Sequence, residues 1–161
     1  MARRDLSEEL VTLLPRLRRF ARALSRNPHD ADDLLQLAIE RALTRAEQLR
    51  DDAPMANWMF GIVRHAWIDE LRTRARGARV FVPELEGQRV ADARQSADLE
   101  LLSVQDAMAR LPEEQRVAVA LVLIEGLSYK EAAHVMEVPI GTVTSRLARG
   151  REALQAMLGE G

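Results

Sequence analysis

The chain has 161 residues, of which 47% are hydrophobic and only 4% aromatic, and its formal net charge at pH 7 is −2. The absence of cysteine excludes disulfides and thiolate metal sites. No apolar run approaches the roughly 20 residues that span a bilayer, and no signal-peptide core follows the N-terminus, so we expect a cytoplasmic protein without membrane insertion.

Helical periodicity governs the first part of the chain. Leucines recur at helical spacing over residues 6–24, which predicts amphipathic helix. Pro15 interrupts this run. Because proline strains a helix interior but suits a first turn, we expect one helix to end near Pro15 and another to begin there. Residues 27–30, Asn-Pro-His-Asp, predict a turn and an N-terminal cap.

Two long helices are expected next, over about residues 31–48 and 55–76, with a polar connection between them. The core stripe of the first should consist of Leu34, Leu35, Ala38, Ile39, Ala42 and Leu43. That of the second should include Trp58, Met59, Ile62, Val63 and Ala66. Stacking on a nucleic-acid base is an alternative for Trp58 and Trp67, but core packing is the favoured interpretation.

Residues 77–97 lose helical periodicity and combine glycine, proline and acidic residues, which is typical of a linker. Helical periodicity returns at residue 98, and Pro112 followed by two glutamates favours a new helix start. We therefore predict an all-α protein of two small helical domains, 6–76 and 98–158, joined by a flexible linker.

The C-terminal domain has the spacing of a helix-turn-helix. Ser128 and Glu131 form a capping-box pattern that opens a short helix ending near Met136. After a break, Pro139 opens a final helix that runs to about Leu158. A helix so placed can enter the major groove of DNA. An αα-hairpin that only packs is the alternative. The outward-facing candidates are Thr144, Ser145, Ala148 and Arg149.

The low net charge conceals an uneven distribution. Arginines cluster over residues 64–79 and again over 146–151, whereas residues 84–106 are rich in acids. Two basic segments around an acidic middle suggest two contacts with a polyanion. Solvated helix faces would give the same pattern, and charge alone leaves both interpretations open.

Three segments of the C-terminal domain resemble the promoter-reading domain of extracytoplasmic-function (ECF) sigma factors: LPEEQR at 111–116, LSYKEAA at 127–133 and GTVTSRLARGREAL at 141–154. The resemblance implies that the final helix reads the −35 element. Glu137 stands where the family usually has glycine, and a left-handed backbone there would cost roughly 1 kcal/mol. The residues implied are Thr142, Thr144, Ser145, Arg146, Ala148 and Arg149.

A segment near the N-terminus, DADDLLQ at 30–36, resembles the one with which sigma factors grip the β′ clamp helices of RNA polymerase. The helical wheel places Leu37 opposite the core stripe, where an apolar residue beside polar ones favours a partner surface; a simple solvated face is the alternative. The family more often has Glu at position 37. The residues implied are Asp33, Gln36, Leu37 and Glu40.

The helix over 57–72, NWMFGIVRHAWIDELR, resembles the sigma-factor helix that reads and melts the −10 element. His65 stands where the family typically has Asn. The arginines that end the helix suit phosphate contacts. The residues implied are His65, Arg72, Arg74 and Arg76.

The three resemblances occur in the family's order, so the chain is identified as a sigma factor and not an enzyme. The implied partners are core RNA polymerase, through its β′ clamp helices and β flap, promoter DNA, and an anti-sigma factor. We expect no cofactor and no metal ion. A sigma mimic that sequesters an anti-sigma factor, or a free-standing helix-turn-helix regulator, is the alternative.

Overall fold

A computed structural model describes residues 5–25, 27–50, 53–78 and 103–159. Within these ranges there are α-helices and no β-strands, which confirms the predicted all-α class with helices in two regions. The helices are α1 Leu6–Ser25, α2 Pro28–Thr44, α3 Met55–Ala78, α4 Val104–Arg110, α5 Glu113–Val119, α6 Tyr129–Met136 and α7 Ile140–Leu158.

The predicted break at Pro15 is wrong, because α1 runs through this residue without interruption. Leu10 and Leu17, on either side of the proline, are both buried in the core. Proline removes the hydrogen bond to the carbonyl of Val11, and Val11 is 65% exposed, so solvent can reach this part of the helix. Burial of the continuous leucine stripe therefore outweighs one lost backbone hydrogen bond.

Helix α2 begins earlier than predicted, at Pro28, because the Asn27 side chain accepts a hydrogen bond from the Asp30 backbone N–H at 2.7 Å. It ends at Thr44, and a 3-10 turn, Ala46–Gln48, follows. Most of the expected core stripe is buried, but Leu43 is 53% exposed, so its assignment to the core is wrong. Ile39 is only half-buried.

Helices α1, α2 and α3 pack together as the N-terminal bundle. Phe20 and Phe60 meet edge to face, with ring centroids 5.1 Å apart. Trp67 is buried and Trp58 packs against the core, which confirms the core interpretation of both indoles.

Helix α3 continues to Ala78, two residues into the predicted linker; residues 79–97 of that linker lie outside the described residues.

Helices α4 to α7 form the C-terminal bundle. Residues 98–102 lie outside the described residues, and α4 begins at Val104, where the Ser103 side chain caps it. Pro112 is the N-cap of α5, one position before the predicted site. A π-helical turn, Ala120–Ile124, extends α5, and Gly126, with φ of 77°, follows its end.

Arg116, the last residue of the LPEEQR segment, is only 1% exposed. Its Nε and Nη2 donate to the carbonyl oxygens of Met108, Ala109 and Leu111 at the end of α4. Its Nη1 donates to the Leu24 carbonyl at the end of α1 and to the Glu113 carboxylate. All five guanidinium N–H groups thus have acceptors. One side chain caps two helix ends, where a positive charge is also favoured by the helix dipoles.

The two bundles pack against each other and share one hydrophobic core. Helix α1 contacts α4, α5 and the π turn, and α3 contacts α6. The two halves of the chain, predicted from sequence as separate domains, are therefore in direct contact in this structure.

Replacing Arg116 with methionine should lower the free energy of unfolding by about 3–5 kcal/mol, because a similar volume is kept while four buried carbonyls lose their donor. Urea unfolding followed by circular dichroism measures this loss. Arg151→Met, at an exposed arginine of α7, is the control and should change stability by less than about 0.5 kcal/mol. Equal effects of the two substitutions would contradict the capping role.

Gly150→Ala should also destabilise the C-terminal bundle. A Cβ at Gly150 would lie 2.7 Å from Cγ2 of Val119, so α5 and α7 would have to move apart. We expect a net loss of about 1–2 kcal/mol after the gain in helix propensity. At Gly141, in the first turn of the same helix, a Cβ would meet nothing within 4 Å. Gly141→Ala should therefore leave the thermal midpoint unchanged or raise it; a loss there as large as at Gly150 would rule out the packing explanation.

Candidate nucleic-acid interface

The predicted helix-turn-helix is present in α6 and α7. The predicted capping box is formed: the Ser128 hydroxyl accepts from the Glu131 backbone N–H at 3.0 Å, and the Glu131 carboxylate accepts from the Ser128 N–H at 2.9 Å. Ala132 is fully buried where the two helices cross, and Val143 and Leu147 are buried on the facing side of α7. The second helix is thus held rigidly by its apolar face.

The turn between these helices contains Glu137 in the left-handed conformation, with φ of 59° and ψ of 44°. The Val138 N–H donates to the Ala133 carbonyl at 3.1 Å, which closes a Schellman motif around Glu137. The turn therefore keeps the left-handed backbone that glycine favours, although the residue is glutamate.

The face of α7 opposite its buried residues is open to solvent. Of the predicted −35 residues, Thr144, Ser145, Ala148 and Arg149 are exposed, whereas Thr142 and Arg146 are half-buried. Arg146 lies 3.5 Å from the Glu114 carboxylate. The hydroxyls of Thr144 and Ser145 donate to carbonyls one turn earlier, each at 3.1 Å. Arg149 is therefore the long donor on this face best placed to reach a base edge.

The predicted polymerase face of α2 is also largely exposed. Asp33, Gln36 and Glu40 are solvent-accessible, and His29 lies 3.5 Å from the Asp33 carboxylate one turn away. Leu37, which the wheel places on the solvent side, is half-buried and packs against the core. Only part of Leu37 is thus available to a partner.

The arginines at the end of α3 differ from one another in their contacts. His65, Arg72, Arg74 and Arg76 are all exposed. The Arg74 guanidinium, however, donates to Asp30 at 2.8 Å and to Glu70 at 3.1 Å, and it lies over the Trp67 ring at 5.4 Å. These contacts tie the end of α3 to the start of α2, so Arg74 has a structural role that its position in the sequence did not reveal.

A cavity of about 400 Å³ lies between α2, α3 and the turn of the helix-turn-helix. We call it the basic pocket. Three of its arginines, Arg41, Arg45 and Arg64, were not among the predicted site residues. A usable signal was the spacing of eight residues that places Arg64 on the same face of α3 as the predicted Arg72. The lining residues are Arg41, Arg45, Arg64, His65, Ile68, Asp69, Arg72 and Glu137.

The carboxylate of Glu137 is the part of the C-terminal bundle that enters the basic pocket. Its Oε1 lies 2.5 Å from Nε2 of His65 and 3.4 Å from Nη1 of Arg64. The hydrogen bond with His65, and then the charges of His65 and Arg64, hold the pKa of the Glu137 carboxyl below its ordinary value. Glu137 is therefore a carboxylate at neutral pH, and it pairs with Arg64 and hydrogen-bonds with His65 of the N-terminal bundle.

Other polar contacts cross between the two bundles. The Glu125 side chain is fully buried and accepts from Arg19 in bidentate fashion, with both distances 2.8 Å, and from Arg16 at 3.3 Å. Nε1 of Trp67 donates to Glu113 at 2.8 Å, and Asn57 donates to Glu131 at 3.0 Å. These contacts fix the orientation of one bundle on the other.

Within the described part of the chain, no group of three or more His, Asp or Glu side chains is arranged to hold a metal ion. None of the described helices combines the length and the apolar character needed to cross a membrane.

The chain matches two known protein families in order. Residues 10–77 match the family described as Sigma-70 region 2, and residues 101–154 match Sigma-70, region 4. The first match covers the N-terminal bundle and the second covers the helix-turn-helix.

Curated relatives extend this likeness over most of the chain. It is 33% identical to the ECF RNA polymerase sigma factor EcfG of Rhodopseudomonas palustris, over 96% of this chain and 85% of the relative. It is 42% identical to the ECF sigma factor SigM of Mycobacterium tuberculosis, over 89% and 71% respectively. The solved structure of the sigma factor RpoE in complex with the anti-sigma factor NepR from Bartonella quintana has a TM-score of 0.76 at 28% identity and covers 97% of this chain and 98% of that one.

Because both sigma regions occur in sequence and relatives above 30% identity span nearly the whole chain, the protein belongs to the ECF sigma factors of RNA polymerase, subunits that are not enzymes and that direct transcription initiation.

Proposed function

We propose that three exposed surfaces divide the work of initiation in the cytoplasm: α7 reads the −35 element, the end of α3 contacts the −10 region, and α2 binds core RNA polymerase. The observation that carries this proposal is the two-sided nature of α7. One side is locked into the core by Val143 and Leu147, and the other presents Arg149 to solvent. A rigid helix with such a face can enter the major groove.

Base recognition by α7 depends on Arg149 above all. A guanidinium can donate two hydrogen bonds to O6 and N7 of guanine, and Arg149 is exposed at the middle of α7. The half-buried Thr142 and Arg146 suit contacts with the phosphate backbone at the edge of the groove.

The −10 region would meet the N-terminal bundle, at α3 and the basic pocket. Arg72 and Arg76 are exposed, and no ion-pair partner of Arg72 is present among the described residues, so its guanidinium is available to a phosphate. His65 lies on the same helix, seven residues earlier. Arg74, held by Asp30 and Glu70, would support the shape of this surface and not bind DNA directly.

Core polymerase would bind the exposed polar face of α2 through its β′ clamp helices. Asp33, Gln36 and Glu40 supply the polar contacts, and the exposed part of Leu37 supplies an apolar one. We propose a second contact, between the C-terminal bundle and the β flap, on the basis of the family resemblance.

An anti-sigma factor is the further partner that we propose. The RpoE structure, which matches across both halves of this chain, is a complex with an anti-sigma factor. That likeness extends over 97% of this chain, so it covers residues of both bundles. We propose that an anti-sigma factor recognises the arrangement in which the two bundles pack against each other, which we call the closed arrangement.

Arg149→Ala should weaken transcription from promoters that depend on the −35 element by roughly 5- to 150-fold, the equivalent of one bidentate Arg–guanine contact of about 1–3 kcal/mol. Run-off transcription with purified core polymerase measures this. Arg151→Ala, two residues further along the same helix and also exposed, is the matched control and should transcribe nearly normally. Loss of core binding by Arg149→Ala would contradict the assignment.

Reversing charge on α2 should separate assembly from DNA recognition. Asp33→Arg combined with Gln36→Arg should reduce affinity for core polymerase at least about tenfold, because like charges would face the polymerase surface and buried polar contacts would be lost. Competition with the unmodified protein for a limited amount of core polymerase measures this. The matched control is Glu47→Arg with Gln48→Arg, an exposed acid–amide pair just beyond α2, which makes the same change of charge. If the two double variants lose the same affinity for core polymerase, α2 is not the polymerase contact.

A further inference from the structure

His65 and Glu137, which lie in different bundles, contact each other at 2.5 Å. Among the described residues, Glu137 is the one non-glycine residue with positive φ. Glycine would adopt this backbone without the steric cost that a Cβ brings. A side chain that persists in a strained conformation suggests that the side chain itself has a role.

The basic pocket shows what this role is. Arg41 faces it from α2 and Arg45 from the C-cap of that helix. Arg64, His65 and Arg72 face it from α3. Of the acids, Asp69 is already paired with Arg41 at 3.0 Å. The pocket therefore has an excess of cationic groups, and Glu137 is the anion that the C-terminal bundle supplies to it.

We propose that Glu137 is an internal substitute for a nucleic-acid phosphate: it occupies the basic pocket in the closed arrangement, latches the helix-turn-helix onto α3 and excludes DNA from the pocket. The identity of the excluded ligand rests on the proposed function; the latch itself does not.

Promoter geometry requires that this latch opens. The positions that name the −35 and −10 elements are about 25 base pairs apart, which is roughly 85 Å of B-form DNA at about 3.4 Å per base pair. Helix α7 begins three residues after Glu137, whose carboxylate touches α3. In the closed arrangement the two DNA-reading surfaces are thus adjacent and cannot reach both elements. Separation of the bundles withdraws Glu137 and exposes the pocket in one step.

The latch should be weak enough to open. The side chains of Glu137 and His65 are 63% and 46% exposed, so solvent screens their attraction. Removing the carboxylate should raise the fraction of open molecules by up to about fivefold, the value typical of an exposed ion pair. A positive charge in its place should raise it further, because it would be repelled by the arginines of the pocket.

The test uses the full chain, which has no cysteine of its own. Gln48→Cys and Gln155→Cys place one dye on each bundle at exposed positions, and single-molecule energy transfer then reports the distance between the bundles. The variants are Glu137→Lys and Glu137→Gly; the second also removes the backbone strain, so it should fold even if the first does not. The control is Glu152→Lys, at an exposed position of α7, because it changes the net charge of the protein by the same amount as Glu137→Lys.

The second measurement is the affinity for a duplex that contains both promoter elements, at fixed salt. We expect both Glu137 variants to open the molecule. Compared with the unmodified protein, their gain in DNA affinity should exceed the gain of the Glu152→Lys control. An unchanged distance distribution would overturn the latch whatever the DNA result. Opening without tighter DNA binding would overturn the exclusion of DNA from the pocket. Adding Arg72→Ala to the open variant distinguishes the two hypotheses: if DNA affinity does not fall, the proposed −10 surface is wrong while the latch stands on the distance measurement.

Discussion

The buried guanidinium of Arg116 is the interaction on which the arrangement of this protein depends. A charged group with almost no solvent contact is stable only if its hydrogen bonds are complete, and Arg116 has an acceptor for each of its five donors. Its acceptors include the ends of α4 and α1, which belong to different bundles. The same side chain thus sets the turn into α5 and helps to position the C-terminal bundle on the N-terminal one.

In the remaining side-chain contacts between the bundles, the carboxylates come from the C-terminal bundle and their hydrogen-bond partners come from the N-terminal bundle. The carboxylates are those of Glu113, Glu125, Glu131 and Glu137. The low net charge of the chain is therefore compatible with nucleic-acid binding, because part of its acidic charge lies against its own basic surface. Separation of the bundles would expose more positive charge on the N-terminal bundle than the average composition suggests.

The strength of these contacts differs with burial. Glu125 is fully enclosed and held in bidentate fashion, so the contact is expensive to break without a replacement partner for the carboxylate. Glu137 is largely exposed and lies at the edge of the interface, so its contact is weakly held. A strong anchor near α1 and a weak latch at the DNA-reading surfaces would let the interface open first where DNA binds.

The sequence by itself determined the helices and the family. Periodicity located α2, α3 and α7 to within a few residues, and the capping box at Ser128 fixed the start of α6, because both signals depend on neighbouring residues in the chain. Local reasoning failed at Pro15, where burial of leucines on both sides outweighs a lost hydrogen bond, and at Leu43, whose exposure depends on where the neighbouring helices end. Only the tertiary structure decided that Arg116 is buried, that Arg74 is held by Asp30, and that Glu137 meets His65 across the bundles. Residues 72 positions apart come together through packing of whole helices, and no local pattern of spacing or charge contains that information.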